Sequence, residues 1–442
     1  MKKFLCNISA LMTLLLGFTA CAPTEVDDVF DESAAVRLDK AIVTYRSYFA
    51  DKGGKWVMQY FCNENEPGYA FVVTFSDNGS VTVAGDNKYI GGYRSDVSLW
   101  DIVADNGPVL TFNTYNRVLH TFSDPADIPD TSDTRETGRG HEGDYEFMVM
   151  ATTDNSCVLR GKKTGYTIIM NRLDSGIDDK EYMTAVTNRI NSSFSSEIDS
   201  LYLETGAGVR FVVKNAASQV MSFYPYGKDA VTLTEKQNCV VTPGGIRFLH
   251  PLDFVQDHDR QQEIAIQNFA FQPDGTLLCT DDGKTRIVAD PLATIFTNGV
   301  TWNTAKETLG GNFLTLYEQI EQEIPVVFKN SSFGGFSLTF NKKTGKMTMR
   351  FLSGRNAKTA GNIYFDLNRV DDNTFRLSID TSNNDYGDNN GRQHYTRVES
   401  FKKLVDLLTS ADFTLSADNV MCPNPMKATS KANADDVMTL TF

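Results

Sequence analysis

PVLTFNTYNRVLHTFSDP (Pro108 to Pro125), a polar loop, and then GDYEFMVMATTDNSCVLRGKK (Gly143 to Lys163) form the stretch that decides the fold. Short runs of Val, Leu, Phe, Tyr and Thr alternate there with Asn, Asp and Gly, the chemistry of strands and turns. The pattern predicts strands at Val109 to Phe112, Arg117 to Phe122, Tyr145 to Ala151 and Cys157 to Gly161. A shorter echo, GGIRFLHPLDF (Gly244 to Phe254) followed by EIAIQNFAFQPDGTLLC, returns about 130 residues later, which is the scale of one domain.

Upstream, apolar residues at helical spacing predict a helix over Ala34 to Phe49, ended by Gly53-Gly54. Strands follow at Trp56 to Phe61 and in a hairpin, Phe71 to Phe75 and Ser80 to Ala84, turned at Asp77-Asn78-Gly79. Tyr166 to Met170 completes a series suited to a barrel or sandwich. Downstream the order repeats. A helix over Asp178 to Ser193 precedes strands at Val209 to Val213, Val220 to Tyr224, Val231 to Leu233, Gly245 to Leu249, Glu263 to Phe271, Thr276 to Thr280 and Thr285 to Val288. A third helix is predicted over Asn303 to Glu323, then a hairpin over Phe336 to Phe351 that echoes the first. Strands at Asn362 to Leu367 and Thr374 to Ile379, a polar loop over Thr381 to Gln393, a helix over Ser400 to Ser410 and a strand over Val437 to Phe442 close the chain. The expected fold is therefore mainly β with a few helices: tandem barrel-like or sandwich modules, each preceded by a helix. The predicted divisions are 1–20, 21–33, 34–175, 176–298 and 299–442.

The first residues carry the most specific signal. Lys2 and Lys3 precede a short apolar run that ends in Phe18-Thr19-Ala20-Cys21. The run is too short to span a bilayer and reads as a signal peptide over 1–20. Small residues before a cysteine resemble a bacterial lipobox, so Cys21 is the expected lipidation site and the membrane contact a lipid anchor. Residues 21–33 form an acidic tether with Glu25, Asp27, Asp28 and Asp31. Acidic residues soon after such a cysteine resemble a surface-export signal of Bacteroidota lipoproteins, and the resemblance implies an outer-membrane location exposed on the cell surface, with the periplasmic face as the alternative. A formal net charge of −14 and no basic stripe argue against nucleic acid. No CxxC pair occurs, so a zinc ribbon is unsupported, and buried thiols are the ordinary reading of Cys62, Cys157, Cys239, Cys279 and Cys422.

Motifs for chemistry are sparse. Gly138 to Gly143 (GRGHEG) fits GxGxxG but leads into a strand, where a dinucleotide site needs a helix. His141-Glu142 lacks the second His of a zinc protease. The clusters His250 to Asp259 and Asn383 to Asn390 are oxygen-rich without an established ligand spacing and read as loops. No catalytic residue, metal ligand or cofactor is assigned, and the chain is expected not to be an enzyme. Ligand contact is assigned to Trp100, Tyr115, His120 and Phe122, aromatic groups around the deciding strands that could stack on a ligand.

GGKWVMQY (Gly53 to Tyr60), PVLTFNTYNRVLHTFSDP, GDYEF (Gly143 to Phe147) and LRGKK (Leu159 to Lys163) together resemble one family of Bacteroidota lipoproteins, that of domain of unknown function 4302. The resemblance implies an accessory lipoprotein of starch-utilisation-type import loci. It also implies a TonB-dependent transporter, its lid lipoprotein and a zinc-metallohydrolase-type lipoprotein as partners. Gly54-Lys55-Trp56 ahead of about eight strands is also similar to the lipocalin layout, whose barrel holds one small ligand or is filled by its own side chains. The leading expectation is a non-enzymatic binding component of a TonB-dependent nutrient importer. A surface hydrolase and a structural or adhesive lipoprotein are the alternatives.

Overall fold

The computed structural model describes residues 32–125, 140–198, 200–227, 232–255, 265–380 and 386–442. Within them the chain forms three closed antiparallel barrels of eight strands each. The first contains β1 (Lys55–Tyr60), β2 (Tyr69–Phe75), β3 (Ser80–Asn87), β4 (Gly92–Ala104), β5 (Pro108–Phe112), β6 (Glu146–Thr152), β7 (Ser156–Gly161) and β8 (Thr167–Arg172). The second contains β9 (Leu201–Glu204), β10 (Arg210–Lys214), β11 (Val220–Pro225), β12 (Glu235–Thr242), β13 (Gly245–Phe248), β14 (Asn268–Phe271), β15 (Leu277–Cys279) and β16 (Arg286–Ala289). The third contains β17 (Thr301–Leu309), β18 (Phe336–Asn341), β19 (Lys346–Ser353), β20 (Thr359–Asp371), β21 (Thr374–Ile379), β22 (Asp412–Ser416), β23 (Met426–Ser430) and β24 (Val437–Thr441). Strands follow one another around each barrel and the eighth closes on the first: Met58 faces Met170, Leu203 faces Ile287, and Thr304 faces Leu440. The helices are α1 (Ala34–Ala50), α2 (Asp179–Ser193), α3 (Leu292–Phe296), α4 (Gly311–Val327), α5 (Asn389–Arg397) and α6 (Glu399–Thr409).

The period-two pattern sends alternate side chains inward. In the first barrel Trp56, Met58 and Tyr60 of β1 and Phe71, Val73 and Phe75 of β2 join one buried core. Both ends are stoppered. At one end Phe49 of α1 packs 5.2 Å from Phe75 and 6.3 Å from Trp100, ring to ring. At the other, Phe122 sits 5.5 Å from Tyr60, 5.8 Å from Phe71 and 4.6 Å from Tyr69. An eight-stranded barrel has room inside for little more than its own side chains, and here rings occupy it. The Trp of the lipocalin-like start recurs: Trp56 Nε1 donates to the Phe49 carbonyl at 2.9 Å, and Trp302 Nε1 donates to the Phe296 carbonyl at 3.0 Å. Each indole ties the first strand of its barrel to the helix before it.

Helix α2 lies between the first two barrels, and Met183 and Val186 share a core with Ala70, Val72, Val240 and Leu249. Coverage on both faces explains why FVVTF of β2 reads as a continuous apolar run. Arg247 of β13 is buried in this junction, donating to Gln59 Oε1 at 2.7 Å, to the Gln59 carbonyl at 3.3 Å and to the Thr167 carbonyl at 3.0 Å. Burial pulls its pKa down to about 10. The second junction is made by the β22–β23 loop: Asn419 Nδ2 donates to the Ser192 carbonyl, Val420 N to the Asp274 carbonyl, and Met421 enters the second barrel's core.

Several elements differ from the sequence expectation. Arg117 to Phe122 is not a strand but a turn ending in a 3-10 helix, His120–Phe122. Asn116 Oδ1 accepts from Val118 N and Leu119 N, and this local bond competes with a sheet ladder. The predicted helix over Asn303 to Glu323 divides: Trp302 and Leu309 face inward from β17, and α4 begins only at Gly311. The third long helix therefore follows the first strand of its barrel, and short α3 precedes it. The predicted loop over Thr381 to Gln393 holds the start of α5, capped by Asp388 accepting from Gly391 N at 2.7 Å. Positions 232–234 carry no strand, whereas β4, β9, β12, β22 and β23 were not anticipated.

Candidate functional site

PVLTF is β5, and at its end the chain folds back along β4. Asn113 N donates to the Leu99 carbonyl at 2.8 Å, and Leu99 N to Thr114 Oγ1 at 2.9 Å. Asn116 then anchors the turn. It is fully buried, its amide donating to the Asp96 carbonyl at 3.1 Å and to Ser98 Oγ at 3.2 Å. Its own backbone N–H donates to His120 Nδ1 at 3.0 Å, so the neutral ring carries its proton on Nε2. Burial holds the His120 imidazole below its ordinary pKa.

This turn sets three rings side by side on the outer face of the first barrel. The His120 ring stacks on Tyr145 at 5.0 Å and 28°, and the Tyr115 ring lies 5.4 Å from it, tilted by 36°. Tyr115 is 55% exposed and Tyr145 42%. Val97 and Leu99, also exposed, extend the apolar surface along β4. Beside Tyr145 opens a cavity of about 250 Å³ lined by Gly143, Asp144, Glu146, Lys162 and Lys163. Lys162 bridges Asp105 at 2.5 Å and Glu146 at 3.2 Å, which raises its pKa. Asp144 fixes the neighbouring turn by accepting from Lys163 N and Thr164 N. The arrangement offers a ligand aromatic faces, the Lys163 ammonium group, which has no acidic partner among the described residues, and a carboxylate.

Of the four residues expected to contact a ligand, the structure brings Tyr115 and His120 together at the surface. Trp100 and Phe122 are corrected: they are buried at 2% and 0% exposure and serve as the packing at the barrel's two ends. Their rings face the core because Trp100 shares the inward parity of Ser98 and Ile102, and Phe122 follows the plug Val118-Leu119. Tyr145 was missed as a contact residue. Its signal was parity within GDYEF, where Phe147 points inward and Tyr145 therefore outward.

Beneath this face lies an enclosed polar cluster. His141 Nδ1 and Glu66 Oε1 are 2.7 Å apart, with Asn63 Nδ2 donating to the same oxygen at 2.9 Å and Tyr69 OH to Oε2 at 3.3 Å. Burial acts to raise the Glu66 pKa, but the hydrogen bonds from His141, Asn63 and Tyr89 outweigh it and hold the carboxyl below its usual range. The cluster latches the chain across the barrel mouth. The glycines of GRGHEG serve the same crossing: a Cβ on Gly143 would lie 2.0 Å from Tyr60 OH, and one on Gly140 2.3 Å from the Asp124 carbonyl oxygen. Gly138 lies outside the described residues, as do Asp257, His258, Asp259, Asn383 to Asp385 and the lipidation candidate Cys21. His250 Nε2 faces Glu64 at 3.5 Å. Among the described residues no three His, Cys, Asp or Glu side chains are grouped to hold a metal ion.

Three packed eight-stranded barrels in tandem, with an aromatic face on the first, define a multi-barrel β protein. The chain belongs to the family described as domain of unknown function (DUF4302), which matches residues 26–265, the first barrel and much of the second. Comparison with curated proteins gave no match. Among solved structures, an uncharacterized protein from Bacteroides eggerthii is similar at 20% identity, over 28% of this chain and 100% of its own, with a TM-score of 0.17. Transferrin binding protein B from Neisseria meningitidis is similar at 9% identity, over 87% of this chain and 74% of its own, with a TM-score of 0.13. Scores this low carry no argument about either chain.

Proposed function

We propose that this chain is a lipid-anchored outer-membrane protein, exposed on the cell surface, that acts as a non-enzymatic accessory binding component of a TonB-dependent nutrient importer. The Tyr115–His120–Tyr145 stack carries the reading: an exposed aromatic face on a barrel whose interior is packed with apolar side chains. Rigid rings supply contact area at low entropic cost. The Thr19-Ala20-Cys21 signal and the acidic tether support the anchor. The partners proposed are the TonB-dependent transporter, its lid lipoprotein and a zinc-metallohydrolase-type lipoprotein. Crosslinking of intact cells, followed by mass spectrometry of what co-purifies, tests it. Recovery of the transporter and its lid with the wild type, reduced in Tyr115→Ala/Tyr145→Ala, is expected. Recovery of neither, with a known complex captured in the same cells, would sink the proposal. For the anchor, Cys21→Ser is expected to move the protein from the membrane to the soluble fraction.

A further inference from the structure

The third barrel carries a concave patch outside the region matched by the family. A cavity of about 600 Å³ opens on its outer face, lined by Gly299, Thr339, Lys342, Lys343, Thr348, Arg350 and Asn362 among others. Its register is fixed by the sheet: Thr339 of β18 faces Thr348 of β19, and Arg350 of β19 faces Asn362 of β20. All point outward, since Leu338, Met347 and Met349 fill the core. The β18–β19 turn brings Lys342 and Lys343 to the rim, held by Asn341 Oδ1 accepting from Lys343 N at 3.0 Å.

What sets the patch apart is uncompensated charge. Elsewhere on the same strand Lys346 is neutralised by Asp366 at 2.5 Å and Asp380 at 3.2 Å. Lys342 Nζ instead donates to a neutral acceptor, Asn298 Oδ1, at 2.7 Å. Lys343 and Arg350 have no acidic partner among the described residues. Asn362 is bonded to Asp388, whose carboxylate also caps α5 and sets one negative charge against the three cations. Three cations around one concavity repel each other, in a chain of net charge −14 where acids outnumber bases. An entering anion relieves that repulsion. The Arg350 fork suits phosphate or sulfate oxygens, and the Thr348 hydroxyl supplies a further donor.

We propose that this patch is a second binding site, independent of the aromatic face, for a small solute bearing at least two phosphate- or sulfate-ester charges. The patch is an open depression, broader than a single inorganic ion requires. Titration calorimetry of the full chain in detergent with glucose 1,6-bisphosphate tests it, alongside flotation with phosphatidylglycerol vesicles. Saturable binding is expected, weakening as sodium chloride rises. Arg350→Gln and Lys343→Gln should each weaken it by about tenfold or more, the scale of one charge-assisted bond. Lys236→Gln, an exposed lysine on the second barrel, should leave it unchanged. All three side chains are exposed, so unchanged thermal melting serves as the folding control. Binding to vesicles alone, lost in the same two variants, would place the anion on a lipid headgroup and overturn the small-solute site. No saturable binding to either probe, or equal binding by Arg350→Gln, overturns the proposal.

Discussion

Arg172, at the end of β8, holds its guanidinium carbon 4.1 Å from the centre of the Trp56 ring on β1. The same guanidinium donates to the Asp51 carbonyl at 2.7 Å and to the Tyr48 carbonyl at 3.1 Å, both at the end of α1. One side chain thus joins the last strand, the first strand and the helix that stoppers the barrel. Arg172→Ala removes cation–π contacts to Trp56 and Tyr48 and hydrogen bonds to the Asp51, Tyr48 and Asp154 carbonyls, and should cost about 2–3 kcal/mol. Urea unfolding measures the loss. Hydrogen exchange should rise first across α1, and uniform exchange along the first barrel would contradict the clasp.

The aromatic residues divide into two groups with opposite expected phenotypes. Trp100→Ala and Phe122→Ala remove barrel packing and should cost about 3–5 kcal/mol each. Tyr115→Ala and Tyr145→Ala strip exposed rings and should change stability by only about 0.5 kcal/mol while reducing partner recovery. Thermal melts of the four variants check this. A Tyr115→Ala protein as unstable as Trp100→Ala would show that the surface stack is structural.

Arg247 links two barrels through acceptors on β1 and β8. Arg247→Ala removes the part-buried bonds to Gln59 and Thr167 and the packing of a buried side chain, and should cost about 2 kcal/mol. Calorimetry should show the first two barrels unfolding together in the wild type and apart in the variant. An unchanged single transition would mean that α2 suffices to couple them.

His394 gives a pH dependence whose sign is fixed by its surroundings. It is buried against Phe328, Phe351 and Phe401, with Nδ1 on the Asn390 carbonyl at 2.9 Å, and burial lowers its pKa. The unfolded chain therefore takes up the proton first, near pH 6.5. Stability is full above that value and falls as the pH drops from it towards the folded pKa. Urea midpoints at pH 7.5 and 5 should separate more for the wild type than for His394→Phe. Equal separations would remove His394 as the source.

The repeat was legible because equivalent strands keep equivalent words. PVLTF and GIRF are the fifth strands of their barrels, and each is followed by a 3-10 turn; FVVTF and FSLTF are the second strands of theirs. What escaped were strands whose alternation is polar, such as β4, where Ser98 holds an inward position. VLHTF misled in the other direction, since its alternation is real but Asn116 turns the chain before a ladder can form. In the site, Tyr145 was readable from parity. The Glu66–His141 contact, spanning 75 positions, was not readable, because nothing local in either segment records it.

Closure of every barrel decides how this chain can meet a neighbour. Among the described residues each strand from β1 to β24 has a neighbour on both sides, so these sheets close without an edge strand. These closed sheets offer a visiting protein, or a second copy, no edge strand to extend. Recognition by the barrels is left to side chains, which makes it a property that point substitutions can redirect without refolding the scaffold.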